Sequence, residues 1–268
     1  MIEKWIENIR EVTNEFYYLM WRGYPRFVTS PKPKWNDMHL PIFTWHGVEP
    51  DDFERKLSYL SQNGYKTWGI KEFYEFIGGV KPNDMHVMIT FDDGFESVWT
   101  KGAPILKKYG FRAVAFIVPA YIGHPQYLSW DQVLGMQESG LFDIQSHTLT
   151  HRTMIAEKPA DRLSIEFELF ESKRIIEYHV PGLNVDCLCY PRGLGSEGAV
   201  NLSKKNGYRA NFWSGRPDRS LNRPGDDPYY IVRLKHDYIF RLPGRNRKSL
   251  MDILKAKFFR RLDGKPYD

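Results

Sequence analysis

At 268 residues the chain is long enough for one enzyme-sized domain with a continuous apolar core, and a composition of 42% apolar and 26% charged residues excludes disorder, collagen and coiled coil. The net charge of +5 is unevenly placed: Arg241 to Asp268 holds nine Lys or Arg against three Asp, a net of +6, while the other 240 residues sum to −1. A body-wide basic surface for nucleic acid is therefore not expected.

In chain order, Trp5, Ile6, Ile9, Val12, Phe16 and Leu19 recur at helical spacing among charges that cancel, which predicts an amphipathic helix over residues 1–20. Glu3, Glu7 and Glu11 stand where a signal peptide would need an apolar core, so a cytoplasmic protein is expected. Residues 23–41, dense in Pro, Lys and aromatics, read as a connection. Beyond it, short β-branched or aromatic runs predict strands over 42–46, 86–91, 113–118, 142–146, 185–190, 209–213 and 230–234. Helical patterns fill the gaps at 51–63, 95–109, 130–139, 161–178 and 197–206. Ser129 offers an N-cap to the helix at 130–139, and Gly110, Gly140 and Gly207 each follow one of these helices. The uncharged run 113–130 could span a bilayer by length, but Pro119, Gly123 and Pro125 interrupt it.

Strand then helix, repeated about seven times, predicts an α/β fold with a parallel sheet. No Gly-x-Gly-x-x-Gly follows the first strand, so a distorted (β/α) barrel of about seven strands is favoured over an open doubly wound sheet. The chain divides into 1–40, a helix and Pro-rich connection; 41–240, the barrel; and 241–268, a basic amphipathic segment with Leu250, Ile253, Leu254, Phe258 and Leu262 on one stripe. Either that segment rests on the inner face of an anionic membrane or it packs on the barrel with its charges in water. Cys187 and Cys189 alternate along one strand and read as reduced, buried thiols.

Reactive residues in such barrels stand at the carboxyl ends of strands. One strand ends in Thr90-Phe91-Asp92-Asp93-Gly94, and another runs into Ser146-His147-Thr148-Leu149-Thr150-His151. Adjacent Asp before Gly is common in exposed turns, and paired histidines occur by chance. Together they have more content, because one Asp and two His supply three ligands and leave positions open for water and substrate, the arrangement of a catalytic metal.

These residues resemble the first two motifs of the polysaccharide deacetylases, the NodB homology domain of carbohydrate esterase family 4. Ala103-Pro104-Ile105-Leu106-Lys107-Lys108-Tyr109-Gly110-Phe111, Ala115-Phe116-Ile117-Val118 and Ser129-Trp130 agree with that family, and the similarity runs from about Pro41 to Leu234. The resemblance implies that Asp93, His147 and His151 bind a divalent metal, zinc being the expected one, and that Asp92 is the base. The third motif departs from the usual Arg-x-Pro-Tyr-Gly: Cys189-Tyr190-Pro191-Arg192-Gly193 has cysteine for arginine, a feature of the subgroup resembling poly-N-acetylglucosamine deacetylases. In that subgroup a histidine of the first strand is the general acid, which implies His46, and a late-strand arginine is matched by Arg233, expected to hold Asp92. His236, in Leu234-Lys235-His236, matches the acid motif of the other members and competes with His46, which the cysteine-bearing motif favours.

The implied reaction is removal of an N-acetyl or similar small acyl group from a saccharide, with Arg192, Tyr190 and Trp130 as substrate-binding candidates. The saccharide is expected to be intracellular and could be lipid-linked. Hydrolysis of another acyl or amide group (O-acetyl, N-formyl, cyclic imide) on the same metal and a non-catalytic carbohydrate-binding barrel are the competing possibilities.

Overall fold

The protein is described by a computed structural model over residues 26–31, 40–81, 84–155, 159–214 and 221–262. The helix predicted over 1–20 and much of the 23–41 connection lie outside the described residues. The elements in order are α1 (Arg26–Thr29), β1 (Ile42–Trp45), α2 (Pro50–Gln62), β2 (Lys66–Thr67), α3 (Ile70–Ile77), β3 (His86–Phe91), α4 (Ala103–Tyr109), β4 (Ala113–Ile117), α5 (Trp130–Glu138), β5 (Phe142–Ser146), α6 (Pro159–His179), β6 (Cys187–Cys189), α7 (Glu197–Lys205), β7 (Ala210–Trp213), β8 (Ile231–Val232), β9 (Leu234–Lys235) and α8 (Leu250–Leu262).

The ladders between these strands are parallel, in the order β8-β7-β6-β5-β4-β3-β1-β9, with β2 on the amino-terminal end of β3. Only Arg233 separates β8 from β9, yet β8 pairs with β7 (Trp213↔Val232) and β9 with β1 (Phe43↔Leu234). The single stretch 231–235 therefore meets both edges of the sheet and closes it into a distorted barrel of seven strand positions, with Arg233 at the seam.

Period-2 alternation sorts the side chains. Ile42, Met88, Phe116, Cys189, Phe212 and Ile231 share one buried cluster inside the sheet. Phe43, Trp45, Ile89, Phe91, Leu188 and Trp213 belong to the cluster between sheet and helices. The amino end of the barrel is closed by α3, whose Ile70, Phe73 and Phe76 join the inner cluster. Helix α3 and strand β2 are absent from the predicted elements, because a two-strand-residue run and an eight-residue helix give too short a periodic signal. The helix predicted over 95–109 is also divided: a π turn at Val98–Gly102 precedes α4, with Ala103 N–H donating to Val98 O. Pro104 has no N–H to continue the regular ladder, so the register shifts just before it.

Helix α8 lies on the barrel. Ile253 is buried in the core, with Leu250 and Leu254 packed against it, whereas the side chains of Phe258 and Leu262 lie outside the described residues. Lys257 is buried 3.5 Å from Asp237. Arg241 donates to Val28 O (2.7 Å) and Ser30 O (2.9 Å), and Arg247 to Phe27 O and Ser30 O (both 2.8 Å). Part of the terminal charge thus satisfies backbone carbonyls around α1. No helix of the described residues is long and apolar enough to cross a membrane.

Candidate active site

The inner-face positions run on past the strand ends, and there the alternation turns from apolar to polar. Thr44 and His46 follow Ile42, Thr90 and Asp92 follow Met88, and Arg233 follows Ile231. Arg233 grips Asp92 with two parallel hydrogen bonds, from one terminal guanidinium nitrogen to Oδ1 (2.7 Å) and from the other to Oδ2 (2.8 Å). Thr44 Oγ1 donates to the same Oδ2 (3.3 Å), and Arg233 also donates to Thr90 Oγ1 (3.1 Å) and Ser214 Oγ (3.2 Å). Burial by itself would raise the Asp92 pKa, but the charge of Arg233 outweighs it and holds the carboxyl well below the usual range. Cys189 Sγ lies 3.9 Å from Asp92 Oδ1, and burial pushes that thiol well up, so it stands there as a neutral group.

Beside this pair, Asp93, His147 and His151 converge. His147 Nδ1 is 2.9 Å from the carbonyl oxygen of Cys189. A carbonyl only accepts, so Nδ1 carries the proton and Nε2 is left as a lone-pair donor. Burial lowers the His147 pKa despite the nearby carboxylates, which keeps the ring neutral and fit to ligate. Its Nε2 is 3.6 Å from Asp93 Oδ1, and His151 Nε2 is 3.5 Å from the same oxygen. Asp93 Oδ1 is buried with no hydrogen-bond partner among the described residues. Two atoms each about 2.1 Å from one tetrahedral ion are about 3.4 Å apart, so these separations fit ligands arranged around a single divalent cation. Two imidazoles and a carboxylate also suit such an ion chemically.

The motif residues sit on a strained backbone: φ is 71° at Asp93, 68° at Thr148, 61° at His151 and 56° at Arg192. Non-glycine residues are held in the left-handed region only where surrounding contacts over-determine them, a pattern common at functional sites. In the third-motif loop Gly193 is needed on two grounds, since its φ is 65° and a Cβ there would lie 2.5 Å from Ser214 Cβ.

The remaining sequence candidates separate. His46 continues the inner face of β1 and bears on Asp92. His236 does not reach the mouth of the barrel: its ring stacks on Trp45 at 4.8 Å, and Trp45 faces outward into the helix layer. Arg192 is exposed at the rim. Tyr190 is a correction. It follows inward-facing Cys189, so alternation turns its ring outward, where it is fully buried, packs on Trp213 at 4.5 Å and accepts a hydrogen bond from Asn211 (2.9 Å). Trp130 is half-buried, and its ring stacks on His179 of α6 at 4.0 Å. Tyr121 flanks the cluster, 6.1 Å from the His151 ring, with Tyr127 and Phe95 stacked on each other beyond it. Thr44, Ser214, Tyr127 and Phe95 were not singled out from sequence. Counting on by two from Ile42 and Phe212 would have found the first two; nothing local marks the others.

Residues 79–211 match the polysaccharide deacetylase family. The chain is 30% identical over 181 residues to YxkH of Bacillus subtilis (strain 168), covering 63% of this chain and 62% of that protein. It therefore spans less than two thirds of the length of that relative. It is 27% identical over 199 residues to the poly-beta-1,6-N-acetyl-D-glucosamine N-deacetylase of Staphylococcus epidermidis, covering 70% of this chain and 68% of that one. In fold it is similar to IcaB from Ammonifex degensii, with a TM-score of 0.67 and 22% identity over 82% of this chain and 97% of that chain. The Streptococcus pyogenes deacetylase PplD has the same TM-score at 18% identity, over 82% of this chain and 98% of that one. With both acidic and both imidazole motif positions gathered at one barrel mouth, residues 79–211 are similar to the polysaccharide deacetylase family in sequence and in the placing of its motifs.

Proposed function

We propose that the protein is a metal-dependent hydrolase that removes N-acetyl groups from a polysaccharide of amino sugars and releases acetate. The observation that carries this is the buried Oδ1 of Asp93, without a hydrogen-bond partner among the described residues, with the Nε2 atoms of His151 and His147 at 3.5 and 3.6 Å. The name of the Staphylococcus epidermidis relative supports the substrate class.

Asp93, His147 and His151 would hold a divalent ion, zinc by the chemistry of the donor set. When bound, such an ion supplies Lewis acidity to the acyl carbonyl and makes a water acidic near neutral pH. Asp92 accepts the proton of the attacking water. The Arg233 fork fixes both of its oxygens and keeps it ionised, at the cost of low basicity, so Asp92 suits a water that is already acidified. The backbone N–H of Arg192 is assigned to the developing oxyanion and His46 to protonation of the departing amine, without which the amine leaves poorly. Tyr121 and Tyr127 offer ring faces for a sugar beside His151.

Acetate release from N-acetylated oligosaccharides, β-1,6-linked glucosamine among them, tests the proposal with chelated and zinc-restored protein. Full activity in verified metal-free protein would overturn it, and preference for an O-acetyl substrate would move the reaction to ester hydrolysis. A peripheral membrane contact through 241–268 would rest on exposed cations, since Leu250, Ile253 and Leu254 face the barrel. Salt-sensitive cosedimentation with anionic vesicles is its test.

A further inference from the structure

We propose that Glu168 is a positioning residue that sets the imidazole of His151, an inference that rests on the metal-site assignment above. The two histidines differ in what holds them. His147 continues a strand and is pinned through Nδ1 by the Cys189 carbonyl. His151 stands in a loop whose backbone turns left-handed at both Thr148 (68°) and His151 (61°). Between those two residues the loop is tied to one buried side chain of α6. Glu168 Oε2 accepts from Leu149 N (3.0 Å) and Thr150 N (2.9 Å), and Oε1 accepts from Thr150 Oγ1 (2.6 Å).

Glu168 is 6% exposed on the barrel-facing side of α6, alongside buried Ile165, Leu169 and Ser172. A carboxylate on that face is costly unless its oxygens are used, and three donors from one short loop use them. The same helix is registered to the strand below, because Ser172 Oγ lies 2.8 Å from Ser146 Oγ, one residue before His147. Glu168 therefore connects the element that fixes one histidine to the loop that carries the other. Consecutive N–H groups converging on one anionic oxygen form the kind of backbone nest that sustains left-handed residues. Losing it would let the loop relax and move His151 Nε2 away from Asp93 Oδ1, now 3.5 Å apart.

The test uses the full chain in metal-free form, with Glu168→Ala, Glu168→Gln and Thr150→Val. Zinc affinity is read by competition with a chromophoric chelator, and ligand geometry by the visible absorption of the cobalt-substituted protein. Glu168→Ala should weaken zinc by about 10- to 100-fold and change the cobalt spectrum, the range typical for partners that orient a ligand. Glu168→Gln keeps one oxygen for both N–H groups and should restore affinity to within about threefold of wild type, with Thr150→Val between the two. Thr150 is exposed, so water can take over as acceptor and the alanine variant should fold. A folded Glu168→Ala protein that binds zinc as tightly as wild type, with an unchanged cobalt spectrum, overturns the proposal. Should that variant fail to fold, Thr150→Val decides: weaker zinc binding at an unchanged metal-free unfolding midpoint supports the role, and unchanged affinity overturns it. A wild type that binds no zinc would instead remove the metal-site assignment and this inference with it.

Discussion

At the amino end of the barrel, Asp143 Oδ2 accepts the N–H of Ile70 (2.7 Å), Arg112 donates to Oδ1 (2.9 Å), and Ile70, Phe73 and Phe76 fill the opening. At the carboxyl end, Asp92 and Arg233 form an even tighter pair, but around them Asp93 Oδ1, Thr148 Oγ1 and His46 Nδ1 are buried without hydrogen-bond partners among the described residues, against Arg112 Nε at the amino end. One end uses its carboxylate to cap a helix and exclude solvent. The other keeps polar atoms uncommitted and backbone strained, an energetic cost that only a ligand, a metal or a reacting group can offset. The mouth pair is nevertheless the more deeply buried of the two: exposures are 20% and 33% for the side chains of Asp143 and Arg112, against 4% and 0% for Asp92 and Arg233. A fully desolvated ion pair adds little net stability relative to a packed apolar pair, so the mouth arginine is better explained by what it does to Asp92.

The comparison breaks most sharply if the mouth can be altered without chemical consequence. His147→Ala removes a ligand, and acetate release should fall by about a thousandfold or more with metal content lost; retention of both in elemental analysis and rate assays would mean the ligands are misassigned. Asp92→Asn should keep the metal and lower turnover by about 10²- to 10⁴-fold. Arg233→Met leaves Asp92 buried without its cation, so the carboxyl pKa rises; because the reaction needs the ionised form, the acid limb of the pH–rate profile should move to higher pH. The same variant should lose about 3 to 5 kcal/mol of stability.

His46→Ala should lower turnover by about a hundredfold and flatten the alkaline limb, whereas His236→Ala should leave turnover within about twofold and cost about 1 to 2 kcal/mol through the lost Trp45 stack. The reverse result would place the general acid behind the barrel wall and contradict the division between faces. The smallest effect on catalysis is expected at the far end: Phe73→Ala should cost about 3 to 5 kcal/mol in denaturant unfolding while turnover per folded molecule is unchanged. A fall in turnover would show that the two ends are coupled.

The strand-and-helix alternation, the turn at Asp92-Asp93-Gly94 and the four-residue spacing of His147 and His151 are local patterns, and each is readable from neighbouring residues. They sufficed for the fold class and for naming the ligand candidates. Arg233 was reached only by analogy, because it meets Asp92 from 141 positions away, and no local period specifies which strand closes against which. His46 and His236 are told apart by register: one continues the inner face of β1 and the other stacks on its outer face. Tyr190 was misread because aromatic character says nothing about direction, whereas inward-facing Cys189 forces Tyr190 outward. Glu168 left one faint signal, a carboxylate among Ile165, Leu169 and Ser172 on the apolar side of a helix. What it binds, a loop 18 residues earlier in the chain, exists only once α6 has packed on β5. Sequence thus supplies the chemical groups and the periodicities that aim them. The partners of those groups come from strand register and helix packing, which depend on contacts between residues far apart in the chain.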